Sequence, residues 1–303
     1  VLMPEKSQPL IWHSLNIFRA LCCRMEHERA VALGGKLGSL VARFSRKKVD
    51  EAVERCMKIL GVPRARAEEI VRGAYEHFGR AAAEFARMPV MAERIDELVS
   101  SEGHEYLFDA VKSGRGAMLA TAHIGNWEYS ACWLAHHGLP INSLGADQRD
   151  ERITELIKDL RRAGGAKALG KANDLKAMIK ALQRGEVIAV PIDQDAKEAG
   201  VVSPFLGSPA STPLGPAKLA AKLGCDVIPG ICTRNPDGVT FSMKFYPPMK
   251  GRDGEPFGKN IQTSTDDLNA VISEGIKAHP EQWMWMYPRW ESVERGIFND
   301  RGN

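Results

Sequence analysis

Hydrophobic residues in the first third of the chain recur at helical spacing, which predicts a layer of four helices. The first helix is predicted over residues 10–25, with an apolar stripe formed by Ile11, Leu15, Phe18, Cys22 and Met25. The second carries the stripe Leu33, Leu37, Leu40, Val41 and Phe44, followed by the basic run Arg46, Lys47 and Lys48. Two further helices are predicted over residues 50–60 and 65–88, on either side of a Gly-Val-Pro turn.

Apolar stripes that end in a basic cluster suit helices that lie in an anionic membrane surface. The alternative is that these helices simply pack on a protein core. Polar and charged residues interrupt the first stripe, and no uncharged apolar run reaches the roughly 18–20 residues that a spanning helix needs. We therefore expect the N-terminal layer to lie on a membrane surface rather than to cross the bilayer.

From about residue 105 onward, strand and helix patterns alternate. Strands are predicted over residues 117–121, 140–144, 166–169, 187–192, 227–232 and 239–245. Helices are predicted over residues 106–113, 126–137, 150–163, 175–183, 213–223 and 265–278, with Asn173 and Asp174 capping the one at 175 and a loop over 200–212. This alternation predicts an α/β fold with a mostly parallel central sheet flanked by helices. We expect one continuous domain, with an N-terminal helical segment (1–95) and an α/β core (96–303).

Composition narrows the classes of protein that fit. The 303 residues are 44% hydrophobic and 26% charged, with a net charge of +3, so the overall field is weak. This argues against a dedicated nucleic-acid-binding protein. The six cysteines show neither Cys-x-x-Cys nor zinc spacing, which favours a reduced compartment. No secretory signal with a small-residue cleavage site is present.

The candidate chemistry begins at His123, which follows the predicted strand 117–121 at a strand-to-helix turn. Glu128 comes five positions later, at the start of the next helix. A carboxylate can orient an imidazole and stabilise its charged form while the imidazole takes a proton from a hydroxyl. Gly125 would let a substrate approach the backbone closely, and Asn126 suits a helix cap or a polar contact. The alternative is a surface charge beside a capping residue.

Several other side chains are candidates for the same site. Arg161 and Arg162 suit bidentate contacts with anionic groups, or they are a solvated helix end. Asp193 and Asp195 follow the strand 187–192, so they reach the same sheet edge as His123; they pair with an arginine or belong to a solvated turn. Two Asp residues without a nearby His are a poor transition-metal set, so no metal is expected. Arg289 is a candidate for substrate binding or for capping a helix, whereas Trp283 and Trp285 are expected to pack.

The segment 123–128 fits the His-x-x-x-x-Asp/Glu motif of the glycerolipid acyltransferase superfamily. More narrowly, the chain from about residue 10 to 291 resembles the bacterial lipid A biosynthesis acyltransferases, also called late or Kdo-dependent acyltransferases. Further matching pieces follow in order: the arginine pair at 161–162, the segments 174–182 and 185–187, Asp-Gln-Asp at 193–195, Pro-Phe-Leu-Gly at 204–207, the segment 212–217 and the tryptophan-rich segment 280–290. Two departures are Ala196, where relatives often have an aromatic residue, and Tyr287-Pro288-Arg289, where they often have a basic pair.

The resemblance implies an O-acyltransferase of the lauroyl or myristoyl type that needs no cofactor. It would move a fatty acyl chain from acyl carrier protein to a hydroxyl of a lipid A precursor, at the cytoplasmic face of a Gram-negative inner membrane. His123 would be the general base and Glu128 would orient it, without a covalent acyl-enzyme. Three alternatives remain: acylation of another membrane glycolipid or aminolipid from acyl-CoA or acyl carrier protein, hydrolysis of acyl thioesters, and a lipid-binding scaffold without catalysis.

Overall fold

The computed structural model of the chain describes residues 8–145, 147–171 and 175–298. The predicted cap formed by Asn173 and Asp174 lies outside these residues. The N-terminal layer consists of four long helices: α1 (Gln8–Arg24), α2 (His27–Phe44), α3 (Arg46–Leu60) and α4 (Arg64–Ala86). The short helices α5 (Met88–Met91) and α6 (Ile95–Leu98) then lead into the sheet. All four predicted N-terminal helices are therefore present.

The remaining elements alternate along the chain. In order, they are β1 (Val99–Glu102), α7 (Glu105–Lys112), β2 (Ala117–Thr121), α8 (Trp127–His136), β3 (Ile141–Gly145), α9 (Glu151–Ala163), β4 (Lys167–Lys171), α10 (Leu175–Gln183), β5 (Val187–Pro191), β6 (Val201–Phe205), β7 (Ser208–Thr212), α11 (Gly215–Leu223), β8 (Asp226–Arg234), β9 (Phe241–Phe245), α12 (Ile261–Ala278) and α13 (Glu291–Glu294). Among the described residues, no helix is long and apolar enough to span a bilayer.

Seven strands form the central sheet, in the order β1-β9-β8-β2-β5-β3-β4. Every neighbouring pair is parallel except β8 and β9, which are antiparallel and are joined by a turn at 235–238. Strand β2 is fully buried along its length because helices cover both faces of a parallel sheet. The predicted α/β fold with a mostly parallel sheet is thereby confirmed.

Two parts of the sheet structure were not predicted. Residues 200–212, expected to be a loop, form the antiparallel hairpin of β6 and β7. Its tight turn uses Leu206 and Gly207, both with positive φ, and Pro204 lies opposite Pro209, so prolines obscured the strand pattern. Strand β1 was also missed, because only the first residue of its sequence Val-Ser-Ser-Glu is apolar, too few to indicate a strand.

The N-terminal layer is joined to the sheet through α4. A single core cluster contains side chains of α3, α4, the sheet and the tryptophan-rich segment, among them Val53, Ile70, Ile188 and Trp283. Helices α2 and α4 approach closely because small residues meet at their crossing. A Cβ added to Gly34 would lie 2.3 Å from the carbonyl oxygen of Gly79. Helix α4 is therefore held between α2 on one side and the sheet on the other.

Candidate active site

The candidate site lies where two neighbouring parallel strands end. Strands β2 and β5 pair in register, with Thr121 opposite Pro191 as the last pair. His123 and Asp193 each follow these residues by two positions. Sheet register therefore brings their side chains together at the carboxyl edge, where open α/β sheets generally bind ligands.

Asp193 holds His123 through two hydrogen bonds. The imidazole Nδ1 lies 2.7 Å from Oδ1 of Asp193, and the backbone N–H of His123 donates to Oδ2 at 2.7 Å. The indole Nε1–H of Trp283 also donates to Oδ2, at 2.8 Å. The Asp193 side chain is fully buried, so these three donors replace the solvation that its carboxylate loses.

The charges of this pair stabilise each other. Burial alone would raise the pKa of Asp193, but the His123 charge and the hydrogen bonds from His123 and Trp283 outweigh burial and lower it. Burial likewise lowers the pKa of His123, but the charge and hydrogen bond of Asp193 prevail and raise it above its ordinary value. Because the ionised Asp193 accepts at Nδ1, the neutral imidazole carries its proton there and presents its lone pair at Nε2.

The second imidazole nitrogen is the one available to a substrate. Within the described parts of the chain, Nε2 of His123 has no hydrogen-bond partner. The His123 side chain remains 19% exposed. The ring of Trp127 stands nearly perpendicular to the imidazole, with centroids 4.9 Å apart, and so restricts its orientation. A hydroxyl that reaches Nε2 would meet a base whose other nitrogen is already fixed.

Glu128 does not make the hydrogen bond to His123 that the sequence suggested. Its carboxylate accepts from Nε and Nη2 of Arg161, the latter at 2.7 Å, and from the indole Nε1 of Trp127 at 3.1 Å. Arg161 also donates to the carbonyl oxygen of Leu144 at 3.2 Å. The difference arises because Glu128 lies on the first turn of α8 and faces α9, while Asp193 already occupies Nδ1. Glu128 still acts on His123 at longer range, since its charge contributes to raising the imidazole pKa.

Gly125 and Asn126 fix the turn between β2 and α8. Gly125 has φ of +57°, and a Cβ added there would lie 1.6 Å from the carbonyl oxygen of Cys232 on β8. The close approach at Gly125 is therefore to the protein's own sheet. Asn126 is the N-cap of α8, because its Oδ1 accepts from the backbone N–H of Tyr129 at 3.0 Å. Its side chain is only 2% exposed.

The remaining candidates lie outside the His123–Asp193 pair. Arg162 is 60% exposed and pairs with Asp159 of its own helix. Asp195 accepts from the backbone N–H groups of Lys197 and Ser292, at 2.9 Å each, and so joins the β5 end to the C-terminal segment.

Arg289 is fully buried and does not reach the site surface. It donates to the carbonyl oxygen of Ser211 and to Oγ1 of Thr212, and its guanidinium lies 4.7 Å from the centroid of the Phe205 ring. Burial lowers its pKa to about 10. The structure therefore gives this arginine packing and hydrogen bonds at the β6–β7 hairpin.

Trp283 was expected only to pack. It is fully buried, as is Trp285, and it also positions Asp193 through its indole N–H. The extra role follows from the packing of segment 280–285 against the β2–α8 turn, where Ile124 and Trp283 form an isolated bridge. In the sequence, the Pro-Glu-Gln-Trp motif marked this segment but gave no sign of its partner. Asp193, the residue that Trp283 contacts, lies 90 residues earlier in the chain.

The mostly parallel sheet, with a histidine at its carboxyl edge tied to a buried carboxylate, defines an α/β protein whose candidate site has the geometry to accept a proton from a bound hydroxyl. A sequence model of the family described as bacterial lipid A biosynthesis acyltransferase matches residues 4–292. The chain therefore belongs to this acyltransferase family, which confirms the resemblance seen in the sequence.

Individual relatives act on different acceptors, as their names state. The chain is 27% identical over 243 residues to phosphatidylinositol mannoside acyltransferase of Mycobacterium tuberculosis H37Rv, covering 77% of this chain and 74% of the relative. It is 26% identical over 295 residues to lipid A biosynthesis lauroyltransferase of Escherichia coli K12, covering 95% and 93%. It is 23% identical over 291 residues to the palmitoleoyltransferase of lipid A biosynthesis from the same organism, covering 93% and 91%.

Proposed function

We propose that this protein transfers a fatty acyl chain from an acyl thioester to a hydroxyl of a membrane glycolipid, with His123 as the general base. Acyl carrier protein is the proposed donor and a lipid A precursor the proposed acceptor. The observation that carries the proposal is the His123–Asp193 pair with its free Nε2, in a chain of this acyltransferase family.

The proposed reaction is a direct transfer. Nε2 of His123 takes the proton of the acceptor hydroxyl, and the oxygen attacks the thioester carbonyl carbon. The carbon–sulfur bond then breaks, and the leaving thiolate takes the proton back from the imidazolium. Asp193 stabilises the imidazolium that forms between these steps, because its ionised carboxylate accepts from Nδ1. Glu128 adds a second negative charge nearby, held in place by Arg161.

A covalent acyl-enzyme is not part of this mechanism. Among the described residues, no serine hydroxyl or cysteine thiol makes a hydrogen bond to His123. Cys232 contacts the turn after His123 through its backbone carbonyl, which accepts from the N–H of Asn126, but its thiol is buried and burial raises its pKa to about 12. A protonated, buried thiol is a poor nucleophile. The acceptor oxygen is therefore the proposed attacking atom.

The outer surface of α1 and α2 supports a peripheral site on an anionic membrane. Seven of the nine large hydrophobic side chains that are exposed in the described residues lie on these two helices, and Phe44 is the most exposed at 79%. Exposed Arg43, Arg46, Lys47 and Lys48 lie beside Phe44. Apolar residues rimmed by cations suit insertion among anionic headgroups. We propose the cytoplasmic face of the inner membrane as the location.

A mannosylated phospholipid is the second candidate acceptor, because the relatives from mycobacteria are named for it. The match to the lauroyltransferase covers more of both chains and supports the lipid A precursor. Both acceptors present sugar hydroxyls or hydroxyacyl chains beside phosphate at a membrane surface, so one base can serve either. Supplying each acceptor separately to the same enzyme distinguishes the two.

The test uses the purified full chain with vesicles that contain a lipid A precursor, a phosphatidylinositol mannoside, or neither. Acyl carrier protein and coenzyme A thioesters are supplied in parallel, and products are read by mass spectrometry. Acylated lipid A precursor formed from the carrier-protein thioester is the expected result. Free fatty acid formed at equal rates without acceptor would replace the proposal with a thioester hydrolase. Equal acyl transfer by His123→Ala would exclude His123 as the base.

A further inference from the structure

A second set of polar side chains lies buried behind the catalytic turn. His77 and Glu84 are seven residues apart on α4, on the same side of the helix, and are 5% and 0% exposed. Arg234, at the end of β8, is 6% exposed and lies between them. Burying polar and charged groups is unfavourable unless each is hydrogen-bonded, so the partners of these three side chains indicate what they are for.

Glu84 and Arg234 form a two-pronged ion pair. Nη1 and Nη2 of Arg234 donate to Oε1 and Oε2 of Glu84 at 2.5 and 2.8 Å. The guanidinium also lies 4.5 Å from the centroid of the Phe241 ring and donates to the carbonyl oxygen of Gly238. Oε2 of Glu84 accepts in addition from Nδ2 of Asn126, at 2.9 Å. The ion pair therefore reaches the N-cap residue of α8.

His77 reaches the neighbouring residue of the same turn. Its Nε2 lies 2.9 Å from the carbonyl oxygen of Gly125, and Nε of Arg234 donates to its Nδ1 at 3.5 Å. Burial and the Arg234 charge lower the pKa of His77 to about 3, so the ring is neutral at physiological pH. A carbonyl on one side and a guanidinium on the other fix one tautomer, with the proton on Nε2.

The opposite side of the turn is tied to Arg234 through Gln282. The Gln282 side chain accepts from the backbone N–H of Arg234 at 2.7 Å and donates to its carbonyl oxygen at 2.9 Å. The Gln282 carbonyl oxygen accepts from the N–H of Gly125 at 3.2 Å. Gly125 is thus held at both its N–H and its C=O, and it lies only two residues after His123.

This arrangement has a narrower purpose than general stability. A buried ion pair adds little net stability compared with apolar residues of similar volume, because desolvation offsets the attraction. Apart from the bond of Arg234 to Gly238, the hydrogen bonds that these three side chains make outside their own set go to Gly125 and Asn126, which fix the position of the turn. Since the backbone N–H and the ring of His123 both contact one Asp193 carboxylate, a small displacement of the turn separates the imidazole from its partner.

We propose that His77, Glu84 and Arg234 are positioning residues that hold the turn 123–126 so that the imidazole of His123 meets Asp193. The kinetic part of this inference rests on the proposed acyl transfer. None of the three side chains contacts the reacting atoms in this scheme. They act through the backbone of Gly125 and the side chain of Asn126.

The first test removes the ion pair while keeping the interior apolar. In Glu84→Leu/Arg234→Met no buried charge is left unpaired, although Nδ2 of Asn126 and Nδ1 of His77 each lose a partner. The thermal unfolding midpoint should therefore fall much less than in Glu84→Leu alone, which leaves the Arg234 charge unpaired. The kcat should fall ~10–100-fold with little change in KM, which is the scale of a misplaced catalytic group. The matched control, Arg115→Met/Asp226→Leu, removes an ion pair at the opposite edge of the sheet and should keep its kcat.

A second test uses His77 alone, so that the inference remains testable if the double variant fails to fold. His77→Ala removes the donor to Gly125, whereas the amide of His77→Gln can still reach that carbonyl. We expect loss of kcat in His77→Ala and recovery of most of it in His77→Gln at similar stability. Equal kcat in His77→Ala and the wild type would overturn the inference.

An NMR titration of His123 separates this inference from the proposed function. Displacing the imidazole from Asp193 should lower the His123 pKa in Glu84→Leu/Arg234→Met and in His77→Ala, but not in the control. If the wild type shows no acyl transfer and this pattern is still observed, the proposed function fails and the positioning role stands. If the pKa of His123 is the same in every folded variant, the positioning role is wrong even in an active enzyme.

Discussion

Replacing Asp193 by asparagine tests which carboxylate orients His123. The substitution keeps the size of the side chain but removes the charge that stabilises the imidazolium. A hydrogen bond to a charged group contributes about 1.5–3 kcal/mol, and 1.36 kcal/mol corresponds to a factor of ten in rate. Loss of the bond between Nδ1 and Oδ1 therefore accounts for a factor of ~10–10². The asparagine N–H can also favour the wrong imidazole tautomer, so we expect kcat to fall by ~10²–10⁴ overall.

The pH profile provides the more specific readout of Asp193→Asn. A general base acts when deprotonated, so kcat/KM should rise with pH through the pKa of His123 in the free enzyme. In the wild type this rise should lie above the ordinary imidazole pKa, because Asp193 raises it. Without that charge, burial prevails and the rise should move to lower pH. The difference in rate between wild type and variant should therefore be smallest under acidic conditions.

The free energy of unfolding should also depend on pH through this pair, and the two residues should change it in opposite directions as pH rises. Asp193 has a lowered pKa, so its contribution is present above its unfolded pKa and is lost as pH falls through the folded pKa. His123 has a raised pKa, so its contribution is complete below its unfolded pKa and is lost as pH rises through the folded one. The destabilisation caused by Asp193→Asn in urea unfolding should therefore be largest between about pH 4 and 6.5.

The matched control is Asp195→Asn, two residues further along the same turn. Asp195 contacts backbone N–H groups rather than the imidazole, so its replacement should leave the pH profile unchanged. The reasoning would be refuted if Asp193→Asn retained the wild-type profile while Glu128→Gln shifted it. In that case Glu128 would be the orienting carboxylate, and the Asp193 contact would be structural.

Three further predictions concern the surroundings of this pair. Glu128→Gln should destabilise the fold by about 3 kcal/mol in urea unfolding, because the nearly buried Arg161 would lose the carboxylate that pairs with it. Unchanged stability would show that the pair is well solvated. Gly125→Ala should lower the unfolding midpoint much more than Gly207→Ala, because both have positive φ but only Gly125 meets backbone within 4 Å. Phe44→Ser should weaken sedimentation with anionic vesicles without changing thermal stability, and unchanged binding would place the membrane contact elsewhere.

The sequence predicted the general architecture because the features that specify it are local. Alternating helix and strand patterns gave the parallel sheet, and the apolar stripes gave the four N-terminal helices. The His123 turn was also predictable, since a buried strand, a glycine and a capping asparagine follow one another within ten residues. The hairpin of β6 and β7 was missed because its strands contain prolines and pack on α12, so tertiary contacts rather than local preference form it.

The partners of the site residues were harder to predict because they depend on register. Asp193 and Glu128 both lie near His123 at the sheet edge, and only the in-register pairing of β2 with β5 brings Asp193 to Nδ1. The partners of Trp283 and Glu84 could not be predicted for the same reason. The sequence around Trp283 indicates packing, and the sequence around Glu84 indicates a solvated helix face. Each acquires a role through a partner more than 40 residues away.

The short motif and the rest of the fold contribute differently to the proposed chemistry. The motif supplies the base and, through Glu128, the anchor for Arg161; the neighbouring strand supplies the charge that raises the imidazole pKa. In this scheme His123 and Asp193 only accept and stabilise a proton, so they act alike on any hydroxyl within reach of Nε2. If His123 and Asp193 act as proposed, acceptor choice must come from surfaces beyond them, such as the exposed faces of α1 and α2. Substitutions on those faces should then change the ratio of acylated products while the pH dependence set by Asp193 stays the same.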